Sequence, residues 1–143
     1  MFSKEESKRI KQEFWISYGK SFPRKWLLYN TKIKDLSFKF HFDTKSAMVA
    51  LDVEGDLEQR IKYWEKLESL KTILIADYVP NAIFDDTYIL ENGKEISRIY
   101  VTLDIKVSIH NKNTWQEVML FFNETMPKFE HFFEDFEDVL QDA

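Results

Sequence analysis

Asp104-Ile105-Lys106 spells Asp-x-Lys, the element in which restriction-type nucleases hold Mg²⁺ on a carboxylate while a lysine polarises the scissile phosphate region. That chemistry needs a second acid from an adjoining strand, and Asp85 or Asp86 would have to supply it. Three-residue matches arise by chance in a chain with 31% charged residues, so a charged pair on a wet strand face is the plainer reading. Asp43, Asp52, Glu54 and Asp56 offer hard oxygen ligands for a divalent cation, but EF-hand spacing is absent. Strand ends and a helix N-cap account for all four. His41, His110 and His131 have no partner at metal-ligand spacing, and His131 with Glu134 makes a surface pair at best. The expectation is no catalytic residue, no metal and no cofactor.

A different chemistry stands out between residues 22 and 32. Phe22, Arg24, Lys25, Trp26, Tyr29 and Lys32 combine cations with flat rings, as charge neutralisation of a phosphate backbone plus base stacking requires. These six are the expected binding residues, joined by Lys4, Lys8 and Lys11 near the N-terminus. The competing account is that Phe22, Trp26 and Tyr29 pin a long loop to the core while the cations stay solvated.

Composition removes several other chemistries. Three glycines, Gly19, Gly55 and Gly93, stand too far apart for a Gly-rich phosphate loop or a nucleophile elbow. Without cysteine there is no thiolate nucleophile, thiolate zinc site, Fe–S cluster or disulfide, a usage that suits a reducing cytosol. The longest apolar runs, Ala47 to Leu51 and Val118 to Phe122, are five residues each, against the roughly 20 a membrane helix needs. Lys4, Glu5, Glu6, Lys8 and Arg9 occupy the place of a signal peptide's apolar region, so a cytoplasmic protein without membrane attachment is expected. The net charge of −5 is unevenly spread: residues 1 to 45 hold 11 Lys and Arg against 5 acids, whereas residues 46 to 143 hold 9 against 20. Such asymmetry marks a nucleic-acid face beside an acidic tail, or two solvated faces that attract each other within the fold or between two copies in a homodimer.

The elements that must position these residues follow from periodicity. Ser3 and Glu6 form a capping box, and Ile10, Phe14, Trp15 and Tyr18 recur at helical spacing, predicting a helix from Lys4 to Tyr18. Leu36, Phe38, Phe40 and Phe42 alternate with polar residues as in a strand with one wet face. The turn Asp43 to Ser46 leads to a second strand, Ala47 to Val53, in an antiparallel hairpin. Asp56 caps a helix expected to run from Leu57 to Tyr78, with an apolar stripe of Leu57, Ile61, Trp64, Leu67, Leu70 and Leu74. A strand around Thr87 to Leu90 turns at Asn92-Gly93 into a return strand, Ile99 to Ile109, long enough that a break is expected near Asp104. Thr114 and Glu117 form a second capping box for a Phe-rich helix that Pro127 should kink or split. Its far side carries Glu130, Glu134, Asp135, Glu137, Asp138 and Asp142. The order α-β-β-α-β-β-α predicts one α+β domain over residues 1 to 143, a four-stranded antiparallel sheet packed against helices.

At Lys8-Arg9-Ile10-Lys11-Gln12-Glu13-Phe14-Trp15, Gly93-Lys94-Glu95-Ile96-Ser97-Arg98-Ile99-Tyr100 and Asn113-Thr114-Trp115, the chain resembles the bacterial domain-of-unknown-function family 4268 over nearly its whole length. Some members of that family look like the C-terminal part of longer proteins whose N-terminal part resembles a PD-(D/E)xK nuclease, a part this sequence is expected to do without. The resemblance implies a role in helping a nuclease engage DNA or a partner, within nucleic-acid processing or defence, and it supplies no site residues. The combined expectation is a non-catalytic interaction module for nucleic acid or a protein partner. The alternatives are a metal-dependent nuclease remnant built on Asp85 or Asp86 with Asp104 and Lys106, and a structural homodimer.

Overall fold

A computed structural model describes residues 2–141; Asp142, counted above with the acidic side of the last helix, lies outside them. Helix α1 (Lys4–Ser21) is opened by Ser3, whose hydroxyl accepts from the Glu6 N–H at 3.1 Å, and it runs past Gly19 to Ser21. Strands β1 (Leu36–Phe42) and β2 (Ala47–Val53) form the expected hairpin. Asp43 closes its turn by accepting from the Lys45 and Ser46 N–H groups at 2.8 Å each.

The single helix expected after Asp56 is two helices, α2 (Leu57–Ser69) and α3 (Lys71–Asp77). The Ser69 hydroxyl donates to the Lys66 carbonyl at 2.6 Å, and the Leu70 N–H turns to Leu67 O at 3.0 Å. A side chain competing for a backbone carbonyl and a tightened last turn break the ladder, which a purely apolar periodicity cannot register. The buried face of α2 is also rotated: Arg60, Tyr63, Trp64 and Leu67 face inward while Leu57 and Ile61 are exposed. Arg60 decides this by gripping Glu95, with Nη2 donating to Oε2 at 2.6 Å and Nη1 to the backbone carbonyl at 3.1 Å.

Strand β3 (Ile83–Ile89) starts four residues before the expected one, its alternation hidden by Asp85 and Asp86. It turns through Gly93, at φ +87°, into β4 (Glu95–Thr102). The break expected near Asp104 falls just after Thr102, where Leu103 N–H makes a last bond to Ala47 O at 3.0 Å. A 3-10 turn (Lys112–Thr114) is capped by Asn111, and the capping box expected of Thr114 and Glu117 does not form. The Thr114 hydroxyl instead donates back to Asn111 O at 2.7 Å. Helix α4 (Trp115–Gln141) continues through Pro127 as one element instead of splitting. Its apolar residues keep it packed against the sheet on both sides of the proline, from Phe122 to Phe133.

The architecture is therefore α+β, with a four-stranded antiparallel sheet in the order β1-β2-β4-β3. The helices pack on one face: Phe14 and Trp15 meet Phe42 and Phe40, Trp64 meets Phe84, and Phe129 and Phe133 meet Phe38. Among the described residues no helix is long and apolar enough to cross a membrane.

Candidate functional site

The segment from Phe22 to Asp35 leaves α1, crosses the C-terminal half of α4 and returns to the edge strand β1. Phe22 N–H caps α1 by donating to Tyr18 O at 2.9 Å. Arg24 Nη2 donates to Glu130 Oε1 at 2.7 Å, and Leu27 N–H donates to Oε2 of the same carboxylate at 2.8 Å. The Arg24 guanidinium lies 4.3 Å from the centroid of the Trp26 ring, which stacks on Tyr18 and meets the Phe40 ring edge-on at 5.3 Å. Phe22, Trp26 and Arg24 are thus structural anchors. Burial pushes the Tyr18 phenol up, and its hydroxyl has no hydrogen-bond partner among the described residues.

Beyond this anchor the backbone is strained. Leu28, Lys32 and Asp35 take φ values of +46°, +64° and +66°, left-handed conformations that L-residues adopt only where the surroundings hold them. Phe38 N–H holds the first by donating to Leu28 O at 3.1 Å, and Thr31 Oγ braces the second by donating to Leu36 O at 2.7 Å. Glu54 N–H fixes the third through Asp35 O at 2.8 Å. Gly55 makes that approach possible, because a Cβ there would stand 2.5 Å from Asp35 Oδ2. The outcome is that Tyr29, unlike the two other rings of the segment, is 73% exposed.

Tyr29 borders a groove of about 270 Å³ that is also lined by Trp15, Leu28, Phe38, Lys39 and Phe40. Trp15 stacks on Phe122 at 5.8 Å and sits 6.3 Å from Phe40, so the groove has rigid aromatic walls on the helix and strand sides and one solvated ring on the loop side. Lys25, Lys32 and Lys34 are exposed on the same loop, and Lys4, Lys8 and Lys11 share with Trp15 one face of α1 at helical spacing. Of the 11 Lys and Arg in residues 1 to 45, Arg24 and Lys39 alone reach a carboxylate within 4.0 Å among the described residues.

A family model described as Domain of unknown function (DUF4268) matches residues 10–137, from the middle of α1 to the last turns of α4. The chain belongs to the DUF4268 family. No curated protein and no solved structure matches it.

In this DUF4268 domain the other sequence candidates separate. Asp104 and Lys106 lie in a bend after β4, not on a strand as expected. Asp85 pairs in register with Arg98, and from Arg98 to Thr102 the strand already advances about 13 Å before the chain bends away. The Asp-x-Lys element and the acids meant to complete it are therefore not brought together. Asp43 caps its turn, Asp56 accepts from Gln59 N–H at 2.9 Å as an N-cap, and Glu54 holds Lys39 and Lys94. Asp52, next to last in β2, is not a solvated strand-end acid: it is fully buried and bonded to Arg98. His41 sits 3.0 Å from Asp43 and His110 2.8 Å from the Ser7 hydroxyl, while His131 pairs with Asp135 at 3.4 Å and not with Glu134.

Sequence reasoning used Trp15 and Phe40 only as members of a helical and a strand periodicity and so missed them as groove walls. One signal was available: Phe14 and Trp15 are adjacent, and a helix that buries the first must turn the second about 100° toward its flank. The Asp52–Arg98 pair had no local signal at all, since 46 residues separate its members.

Proposed function

We propose that this domain is a non-catalytic binding module, cytoplasmic and associated with nucleic-acid processing or defence, that holds a single-stranded nucleic acid over the Trp15–Tyr29–Phe40 groove. The observation that carries this reading is Tyr29, kept solvated by a strained loop beside a ring-walled groove and near Lys25 and Lys32, which have no carboxylate partner among the described residues. Strain of this kind persists only where surrounding contacts enforce it. A base stacked between Tyr29 and the groove, with its flanking phosphates on Lys25 and Lys32, uses each of these features.

Fluorescence anisotropy of labelled single-stranded DNA, duplex DNA and RNA at about 50 and 200 mM salt tests it. Single strands should bind, and affinity should fall about 20- to 50-fold over that salt range if three or four phosphates are contacted. Tyr29→Ala should weaken binding about tenfold at both salts, whereas Lys25→Ala with Lys32→Ala should also flatten the salt slope. Absence of binding to every probe at low salt would overturn the proposal in favour of an acidic protein partner or a homodimer.

A further inference from the structure

The sheet face that the helices leave open has its own construction. Strand register places Lys39, Ala50 and Met48, and Asp52 opposite Arg98, on this face. Arg98 Nε and Nη2 donate to Asp52 Oδ1 and Oδ2 at 2.6 and 2.9 Å, a bidentate pair in which the arginine side chain is 8% exposed and the aspartate 0%. Lys39 adds a contact to Asp52 Oδ2 at 3.2 Å and bridges to Glu54 at 3.1 Å, which Lys94 reaches at 2.9 Å. Counting Asp85, in register opposite Arg98, three cations meet three carboxylates and the cluster is balanced.

A β-bulge completes the site. Between the pairs Asp85↔Arg98 and Tyr88↔Ile96, two residues of β3 oppose Ser97 alone, and Ser97 Oγ donates to Asp86 O at 2.8 Å. Without the extra residue, strand alternation would turn Tyr88 toward the helices. With it, the Tyr88 ring lies 4.4 Å from the Arg98 guanidinium and edge-on to Tyr100 at 5.6 Å. The hairpin beyond Tyr88 and the start of β2 enclose an open cleft of about 470 Å³, lined by Met48, Tyr88, Ile89, Leu90 and Arg98 among others. At its floor Arg98 Nη1 carries two N–H donors, one of which meets the Met48 sulfur at 3.6 Å, a weak acceptor for a guanidinium.

We propose that this cleft binds a small carboxylate ligand, whose oxygens take the Arg98 Nη1 donors and whose apolar body lies against Tyr88, Met48 and Ile89. The volume falls in the range of small-molecule sites. A carboxylate fits better than a phosphate dianion, because Asp52 already answers Arg98 and Asp43 and Glu91 also line the cleft, so the attraction comes from the Nη1 donors and not from net charge. The cleft shares no lining residue with the Tyr29 groove and stands or falls separately from it.

Titration of the ¹⁵N-labelled full chain with benzoate, and with benzamide as its neutral isostere, tests the assignment through amide chemical shifts. Benzoate should shift Met48, Tyr88 and Arg98 saturably, and benzamide should bind about tenfold more weakly for want of the charge-assisted bond. Tyr88→Ala should weaken benzoate about tenfold with the remaining amide spectrum unchanged. Met48→Leu conserves volume and removes the competing sulfur, so it should keep or tighten benzoate binding even if Arg98→Lys fails to fold. No shifts, equal affinity for the two probes, shifts confined to Trp15 and Tyr29, or weakening by Met48→Leu would each overturn the proposal.

Discussion

Phe38 and Lys39 are neighbours on β1, yet one faces a layer of helices and the other a face with no helix over it. On the Phe38 side, low exposure comes from aromatic contacts between distant elements: Phe122 of α4 has the rings of Phe14, Trp15, Tyr18 and Phe40 within 6.2 Å. On the Lys39 side, Asp52 and Arg98 are buried by their own sheet neighbours, and charge pairing replaces apolar contact. Burial by another layer is insensitive to which apolar group fills it, provided volume is kept, whereas burial of charge demands the particular partner. The first face holds the fold together by packing, and the second has no helix over it.

The comparison can be broken most forcefully on the apolar side. Phe122→Ala should cost about 3 to 5 kcal/mol in denaturant unfolding, since a fully buried ring is removed from the centre of the aromatic layer. A loss under about 1 kcal/mol would show that the layer closes around the gap. On the other face, Asp52→Ala leaves Arg98 without its carboxylate and should cost about 3 kcal/mol, while Asp52→Leu with Arg98→Met should recover most of it. A double variant as unstable as the single one would mean that the pair matters by shape and not by charge. Ser3→Ala should cost about 1 kcal/mol through the lost cap of α1, measured in the same way, because the helix layer owes more to packing than to its ends.

The smallest effect is on pH dependence, and it sharpens the electrostatic half. Burial alone would raise Glu54, but the hydrogen bonds from Lys94 and Lys39 hold it below its ordinary 4.5. Its stabilisation is present above that value and is lost as pH falls through the lower folded pKa. Burial alone would lower Lys39, but Asp52 and Glu54 raise it above 10.5, so its contribution is complete below that value and is lost as pH rises past it. Unfolding midpoints followed from pH 7 to 3 should fall less steeply in Glu54→Gln than in the natural chain; identical curves would remove Glu54 from the account.

Much of the fold was readable because it is written locally. The Ser3 cap, the alternation through Leu36 to Phe42, the Asn92-Gly93 turn and the end of β4 near Asp104 each depend on a few neighbouring residues and reappear in the structure. Where the reading went astray, a single hydrogen bond outweighed a pattern: Ser69 divided the central helix, Arg60 rotated it, and Thr114 turned back instead of capping forward. The segment from Phe22 to Lys32 stood out by its composition, but composition could not separate Tyr29, which is solvated, from Trp26 and Arg24, which are held by Tyr18 and Glu130.

The sequence by itself determined the class, the order of elements and the basic character of the first third, because propensity, periodicity and net charge are sums over adjacent residues. Only the tertiary structure decided which cations meet a carboxylate, which ring stays in solvent and that Asp52 meets Arg98. Those depend on the sheet order and on a bulge that turns Tyr88 over, and a contact between residues far apart in the chain leaves no mark on either neighbourhood.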